Sequence, residues 1–142
     1  MEWIALIAWL LTAVGGFILL SIWVARGGMQ AAREPGSRIR PGLILSHFAL
    51  AATGLVLWII FVATDSDALA WIAFAILLVV AVLGWTMFAI WWRWRQRAAV
   101  SQAGDPGTPA EQHFPVLFVA GHGILAVTTV VLVFLAAIGV GD

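Results

Sequence analysis

The chain has 142 residues, of which 63% are hydrophobic and only 10% are charged. A soluble globular domain carries roughly 25% charged residues, so this composition indicates that lipid is the solvent for much of the chain. The formal net charge is zero, and there is no cysteine, which excludes disulfides, thiolate metal sites and thiol nucleophiles.

Four apolar stretches follow one another, and each is long enough for a helix that spans the ~30 Å hydrocarbon core. Their predicted ranges are residues 3–25, 42–63, 69–95 and 114–140. Helices are expected, because isolated strands would leave backbone groups unpaired in lipid. The first stretch is too long for the apolar region of a signal peptide, so we interpret it as a retained span. The expected fold is an all-α membrane protein, a four-transmembrane-helix bundle forming a single domain over residues 1–142.

The distribution of charge predicts the orientation of the bundle. All the arginines fall in the connection after the first span or at the end of the third: Arg26, Arg33, Arg38, Arg40, Arg93, Arg95 and Arg97. Four acids lie at the opposite side of the membrane: Glu2, Asp65, Asp67 and Asp142. Because arginine-rich connections remain in the cytoplasm, we expect both termini on the non-cytoplasmic side of the cell (inner or plasma) membrane.

The connections and the tryptophans agree with this layout. Residues 64–68 are too few for more than a tight hairpin, and residues 98–112 are rich in the residues typical of a cytoplasmic loop. Six tryptophans lie near span ends, where indole rings settle at the headgroup level. They are Trp3, Trp23, Trp71, Trp91, Trp92 and Trp94.

The chain also resembles itself. The first and third spans align at a spacing of 68 residues, with nine identities over the 21 positions that begin at Trp3. The second and fourth align at a spacing of 75 and share the pattern H-x-x-L-A-x-T-x-x-V-L. We interpret this as a parallel duplication of a helical hairpin, residues 1–66 and 67–142, with a two-fold axis along the membrane normal. The alternative is chance similarity between leucine-rich spans.

His47 and His122 are the two histidines within the spans, and they are equivalent in the repeat. Each follows a proline at the cytoplasmic start of its helix by six or seven residues, which predicts a common depth of ~9–11 Å. An ionisable side chain in lipid requires a partner or a function. Two imidazoles at one depth suit haem iron, which has two axial positions and is held in bundles by side chains on facing helices.

Small residues accompany the histidines: Gly16, Gly84, Ala51, Gly54, Gly121 and Gly123. They leave room either for a flat macrocycle or for a close helix contact, and the sequence does not choose between the two. Arg38, Arg40, Arg93 and Arg95 are candidates for pairing with haem propionates, or they serve only to fix the topology.

Other roles for the histidines remain open at this point. They could bond to Ser46, Thr53 or Thr128 as helix-to-helix hydrogen bonds, hold another metal ion, or relay protons. Thr53 and Thr128 are expected to bond back to carbonyls of their own helices. His113 has no counterpart in the first hairpin, and we interpret it as a surface residue or an alternative ligand.

Through His47 and His122 the chain resembles membrane-embedded b-type cytochromes of the four-helix kind. The resemblance implies one bis-histidine haem b, with both residues as iron ligands, and a role in electron transfer or in anchoring a redox complex. The alternatives are a cofactor-free accessory subunit and a chlorophyll-type pigment protein. Candidate partners are the lipid bilayer, a quinone, a larger redox or membrane complex and further copies of the chain. Nothing indicates nucleic acid, and no catalytic motif predicts a self-contained enzyme.

Overall fold

The computed structural model describes residues 1–30, 39–100 and 110–140. Its helices are α1 (Glu2–Ala25), α2 (Pro41–Thr64), α3 (Asp67–Val100) and α4 (Val116–Ala137), and a short 3₁₀ helix, Ala110–His113, precedes α4. All four long helices are long and apolar enough to cross a membrane. The prediction of an all-helical, multi-pass membrane protein is therefore confirmed.

The helix ends follow local chemistry. Pro41 is the first residue of α2 and Pro115 is the N-cap of α4, which are places where a missing backbone N–H costs nothing. The chain passes from α2 to α3 through Asp65 and Ser66. Asp65 adopts the left-handed conformation, with φ of 50°, and its amide donates to the Phe61 carbonyl. This is the tight hairpin that the sequence predicts.

α3 is longer than predicted. It continues through Val100, so residues 98–100 belong to a helix rather than to the expected loop. Its 34 residues exceed what is needed to cross ~30 Å of hydrocarbon, so one end must project from the membrane. The C-terminal end of α3 carries exposed arginines, and the Cζ atoms of Arg95 and Arg97 lie 5.4 and 4.6 Å from the ring centroids of Trp91 and Trp94.

Some predicted features lie outside the described residues. These are Arg33, Arg38 and Asp142, and the part of the predicted cytoplasmic loop that covers residues 101–109.

The helices form a ring in chain order. α2 packs most extensively against α3, and α1 against α4, while thinner contacts join α1 to α2 and α3 to α4. Each helix therefore has two neighbours, and α2 lies diagonally opposite α4. This arrangement allows a side chain from α2 to meet one from α4 on the bundle axis.

The core has two apolar clusters. The cluster at the acidic end contains Trp9, whose ring centroid is 6.3 Å from that of Trp58, and Phe61, at 4.8 Å from Trp58. The cluster at the arginine end contains Trp23, Ile39, Ile44, Trp91 and Ala110. Along each helix the histidine level lies between these two clusters.

Five of the six tryptophans at the span ends divide into two groups, and Trp94 is half-buried. Trp3, Trp71 and Trp92 are exposed, as residues at a headgroup boundary would be. Trp23 and Trp91 are buried, with 0% and 4% of their surface exposed. The interfacial interpretation is wrong for these two, because both indoles pack inside the arginine-end cluster.

The two halves of the chain bury corresponding positions. Buried residues recur at the spacing of 68 between α1 and α3, and at the spacing of 75 between α2 and α4. The pairs are Ala5 and Ala73, Trp9 and Leu77, Thr12 and Val80, Trp23 and Trp91, Gly54 and Thr129, Trp58 and Val133, and Phe61 and Ala136. In three of them a large aromatic residue of the first half matches a smaller residue of the second.

Candidate functional site

The structure brings His47 and His122 together between α2 and α4. Their ring centroids are 6.4 Å apart, and the planes are inclined at 67°. Both side chains are partly buried and lie between the two apolar clusters. Diagonal helices thus present two imidazoles to each other at one level of the bundle.

Each imidazole is held by a backbone carbonyl of a neighbouring helix. His47 Nδ1 lies 3.0 Å from the Val80 carbonyl oxygen on α3, and His122 Nδ1 lies 3.0 Å from that of Thr12 on α1. A carbonyl only accepts, so Nδ1 must carry the proton and donate it. In the neutral ring this leaves the lone pair on Nε2, directed away from the backbone.

The side-chain partners proposed for the histidines are wrong. Thr53 and Thr128 instead donate to the Ala49 and Ile124 carbonyls of their own helices, as expected of a hydroxyl in an apolar helix. Ser46 is exposed on α2. The backbone of α1 and α3 therefore orients the rings, rather than hydroxyl groups.

Gly16 and Gly84 permit these histidine-to-carbonyl bonds. A Cβ atom on Gly16 would lie 3.0 Å from His122 Cε1, and one on Gly84 would lie 3.2 Å from His47 Cε1. Each glycine is four residues after the carbonyl that its histidine uses, and in a helix the side chain at that position overlies the preceding turn. The absence of a side chain opens the carbonyl to the imidazole.

Gly15 belongs to the same contact but was not predicted. A Cβ atom there would lie 3.5 Å from His122 Nδ1, which is ordinary van der Waals distance. The consecutive glycines at 15 and 16 were the available signal, but only Gly16 has a glycine counterpart in the third span.

The remaining small residues make no contact with a histidine that the structure shows. The space over Gly54 is taken by Trp9, which a Cβ atom would approach to 3.1 Å, so this glycine allows close packing toward the acidic end. Added Cβ atoms on Gly121 and Gly123 would meet nothing within 4 Å. Ala51 is partly buried on α2.

The surface residues predicted near the site are exposed. His113 ends the 3₁₀ helix with its side chain exposed. Arg40, Arg93 and Arg95 are exposed at the arginine end of the bundle.

A threonine pair supports the His122 side of the site. Thr12 Oγ1 lies 2.9 Å from Thr129 Oγ1, and each hydroxyl also lies 2.8 Å from a carbonyl of its own helix. Thr12 therefore contacts α4 twice, through its carbonyl to His122 and through its hydroxyl to Thr129. Val80 and Gly54 occupy the corresponding positions of the other half and have no hydroxyl, so the two histidines have different surroundings.

The unprotonated Nε2 of each ring is the kind of nitrogen that ligates metal ions in proteins. Neither Nε2 makes a hydrogen bond within the described ranges. An ion bound ~2 Å from both Nε2 atoms would place the ring centroids ~6 Å apart, close to the 6.4 Å observed. Metal-ligating histidines commonly donate their other N–H to a backbone carbonyl, as both do here.

Two histidines alone do not complete a metal site. Among residues 1–30, 39–100 and 110–140, no three histidine, cysteine or carboxylate side chains form a metal-binding group. An ion between His47 and His122 would need further ligands from another source.

Comparison with protein families, with curated proteins and with solved structures finds no match for this chain.

Proposed function

We propose that this chain binds one haem b between His47 and His122, and that it transfers electrons or anchors a redox complex in the membrane. The observation that carries the proposal is the pair of facing imidazoles, 6.4 Å apart, each fixed through Nδ1 by a backbone carbonyl. This leaves each ring with a neutral Nε2 that can serve as a metal ligand.

Haem satisfies what the site lacks. Its porphyrin provides the equatorial nitrogens, and its iron accepts two axial imidazoles. With His47 and His122 both holding the iron, the haem would supply electron transfer rather than oxygen chemistry. A low-dielectric surrounding and hydrogen bonds to the axial ligands are the means by which this chain would set the reduction potential.

The ring spacing favours one shared metal over two pigments. Two macrocycles, each bound to its own histidine and stacked at van der Waals contact, would place the imidazole centroids ~10 Å apart. The observed 6.4 Å is too short for that arrangement. A single iron is therefore the better match to the geometry.

We further propose that the bundle arose by parallel duplication of a helical hairpin. Beyond the shared buried positions, each histidine uses the same set of contacts: Thr12 and Gly16 for His122 correspond to Val80 and Gly84 for His47. This shared set of contacts supports duplication over chance similarity between apolar spans. A two-fold axis along the membrane normal would then pass between the two rings.

The proposed orientation places the arginine end in the cytoplasm and both termini outside, in the plasma membrane. Its support is the separation of charge: the described arginines flank one end, while Glu2, Asp65 and Asp67 line a common cavity at the other. Redox partners, whether a quinone or a larger complex, would then approach the haem most closely from the arginine side.

A visible spectrum of the purified protein tests the haem proposal. We expect a sharp Soret band and split α and β bands on reduction, with one haem per chain. His47→Ala and His122→Ala should each lose these bands, because each removes an axial ligand, while the exposed His113→Ala should keep them. Absorption in the far red would instead indicate a chlorophyll-type pigment, and a colourless protein an accessory subunit. Full haem binding by both single variants would overturn the ligand assignment.

A further inference from the structure

Trp23 and Trp91 carry polar atoms that the fold leaves unsatisfied. Their Nε1 atoms are fully buried and have no hydrogen-bond partner within the described part of the chain. A buried donor without an acceptor is costly, and native proteins rarely keep one without a reason. Here two such donors occupy corresponding positions of the two halves.

Their placement relates them to the histidines. Trp23 is seven residues after Gly16, and Trp91 is seven after Gly84. Seven residues are two helical turns, so each tryptophan lies on the histidine-facing side of its helix, ~10 Å nearer the arginine end. Both indoles pack in the same apolar cluster. The two indole N–H donors therefore lie at a similar level, two helical turns from the histidine pair toward the arginine end.

The surroundings favour an anion as the missing acceptor. An indole N–H can only donate, so its partner must be a group with lone pairs. The Arg95 guanidinium lies against the Trp91 ring, with its Cζ 5.4 Å from the centroid, which adds positive charge. Gly28 closes over Trp23, where a Cβ atom would lie 2.2 Å from the indole, so the ring is held in place. A donor that is held in place and a second donor beside a cation suit carboxylate oxygens.

We propose that Trp23 and Trp91 donate their indole N–H groups to the two propionates of the haem. This inference rests on the proposed function, since haem b carries both carboxylates on one edge of the ring. It places that edge toward the arginine end of the bundle. Trp23 and Trp91 then act as binding residues that fix the rotation of the macrocycle about the axis between the histidines.

The test removes the N–H without changing the ring shape. β-(3-Benzothienyl)alanine, in which sulfur replaces the indole nitrogen, is incorporated at position 23, at position 91 and at both. Apoprotein is then titrated with haem b and with its dimethyl ester, whose propionates carry no charge. We expect the unmodified chain to prefer the free acid, and each replacement to reduce that preference about tenfold, as for a charge-assisted hydrogen bond.

Trp58 provides the matched control. Its indole is equally buried, but its N–H lies 3.4 Å from the Glu2 carbonyl, at the acidic end. The same replacement there should leave the preference for the free acid unchanged. A preference that survives the double replacement, with the bis-histidine spectrum intact, would overturn this inference and leave the proposed function standing. An unmodified chain that binds neither compound would overturn the proposed function itself.

Discussion

Two glycines allow the helix backbone to position the histidine side chains. The carbonyls of Thr12 and Val80 lie within regular helix, where the residue one turn later would normally cover them. Gly16 and Gly84 remove that cover, so each carbonyl can accept an imidazole N–H. The histidines thus gain a fixed tautomer and orientation.

Alanine at position 16 tests this role. A Cβ atom 3.0 Å from His122 Cε1 must displace the ring by a few tenths of an ångström. We expect Gly16→Ala to cost about 1–3 kcal/mol by overpacking and to weaken haem binding. Thermal unfolding in detergent and haem titration measure the two effects.

Gly123→Ala is the control for the change in helix propensity. A Cβ atom there meets nothing within 4 Å, so this variant should gain up to ~1 kcal/mol. If Gly16→Ala proved as stable as Gly123→Ala and bound haem as well, the imidazole contact would have no energetic importance.

The sequence predicts the histidines of the site but not the carbonyls that accept their hydrogen bonds. A histidine within an apolar span is rare enough to stand out, and the sequence similarity of the second and fourth spans pairs His47 with His122. The acceptors were missed because every residue has a carbonyl, so Val80 carries no sequence mark of its own. The only local signal is the glycine four residues later.

Hydropathy predicts the existence of the four helices more reliably than it predicts the residues at which they end. The four spans are found because an apolar stretch of this length has few alternatives in lipid. The end of α3 was misplaced because leaving the membrane and ending a helix are separate events. Arginine, glutamine and alanine are good helix formers, so α3 continues after its sequence becomes polar.

The burial of Trp23 and Trp91 was also missed. Tryptophans at span ends are typical of the headgroup region, and Trp3 and Trp71 follow that rule. The seven-residue spacing from Gly16 to Trp23 places the indole on the inner face of α1. Helical phase, rather than distance from the span end, decides which tryptophans face lipid.

The pairing of α1 with α4 includes the hydroxyl contact between Thr12 and Thr129, which a double-mutant cycle can isolate. Valine retains the shape and removes the hydroxyl, so Thr12→Val and Thr129→Val should show a coupling energy of about 0.6–2 kcal/mol. Reversible unfolding in detergent measures the four corners of the cycle.

Thr53→Val is the matched control for that cycle. Thr53 bonds only to its own helix and is exposed on α2, so combining its loss with Thr12→Val should give no coupling. Additive effects of Thr12→Val and Thr129→Val would mean that the 2.9 Å contact contributes nothing to helix association.

The amino-acid composition allows a direct test of the orientation of the whole bundle in the membrane. Because the chain has no cysteine, a single introduced thiol is the only one that reacts. Ser66→Cys places it in the turn between α2 and α3, and Gln96→Cys places it on the exposed arginine end of α3. With intact cells and a membrane-impermeant maleimide, we expect labelling of Ser66→Cys alone.

Cell lysis should then make Gln96→Cys reactive as well, which shows that its thiol is competent. The opposite pattern in intact cells would invert the proposed topology and place the histidine pair near the outer face. The sequence predicts this orientation only through the distribution of arginine, since an apolar helix can cross the membrane with either end in the cytoplasm.

Trp9, Trp58 and Phe61 fill the acidic half of the bundle, so the proposed haem would lie off the centre of the membrane. If the arginine end faces the cytoplasm, as proposed, and the histidines lie ~10 Å inside a ~30 Å core, an electron entering from the cytoplasm would cross about one third of the transmembrane voltage. Each 100 mV would then shift the redox equilibrium of the haem by roughly 0.8 kcal/mol. The apparent midpoint in an energised membrane would differ from that in detergent by about a third of the voltage, so the haem would respond to the energy state of the cell without any moving part.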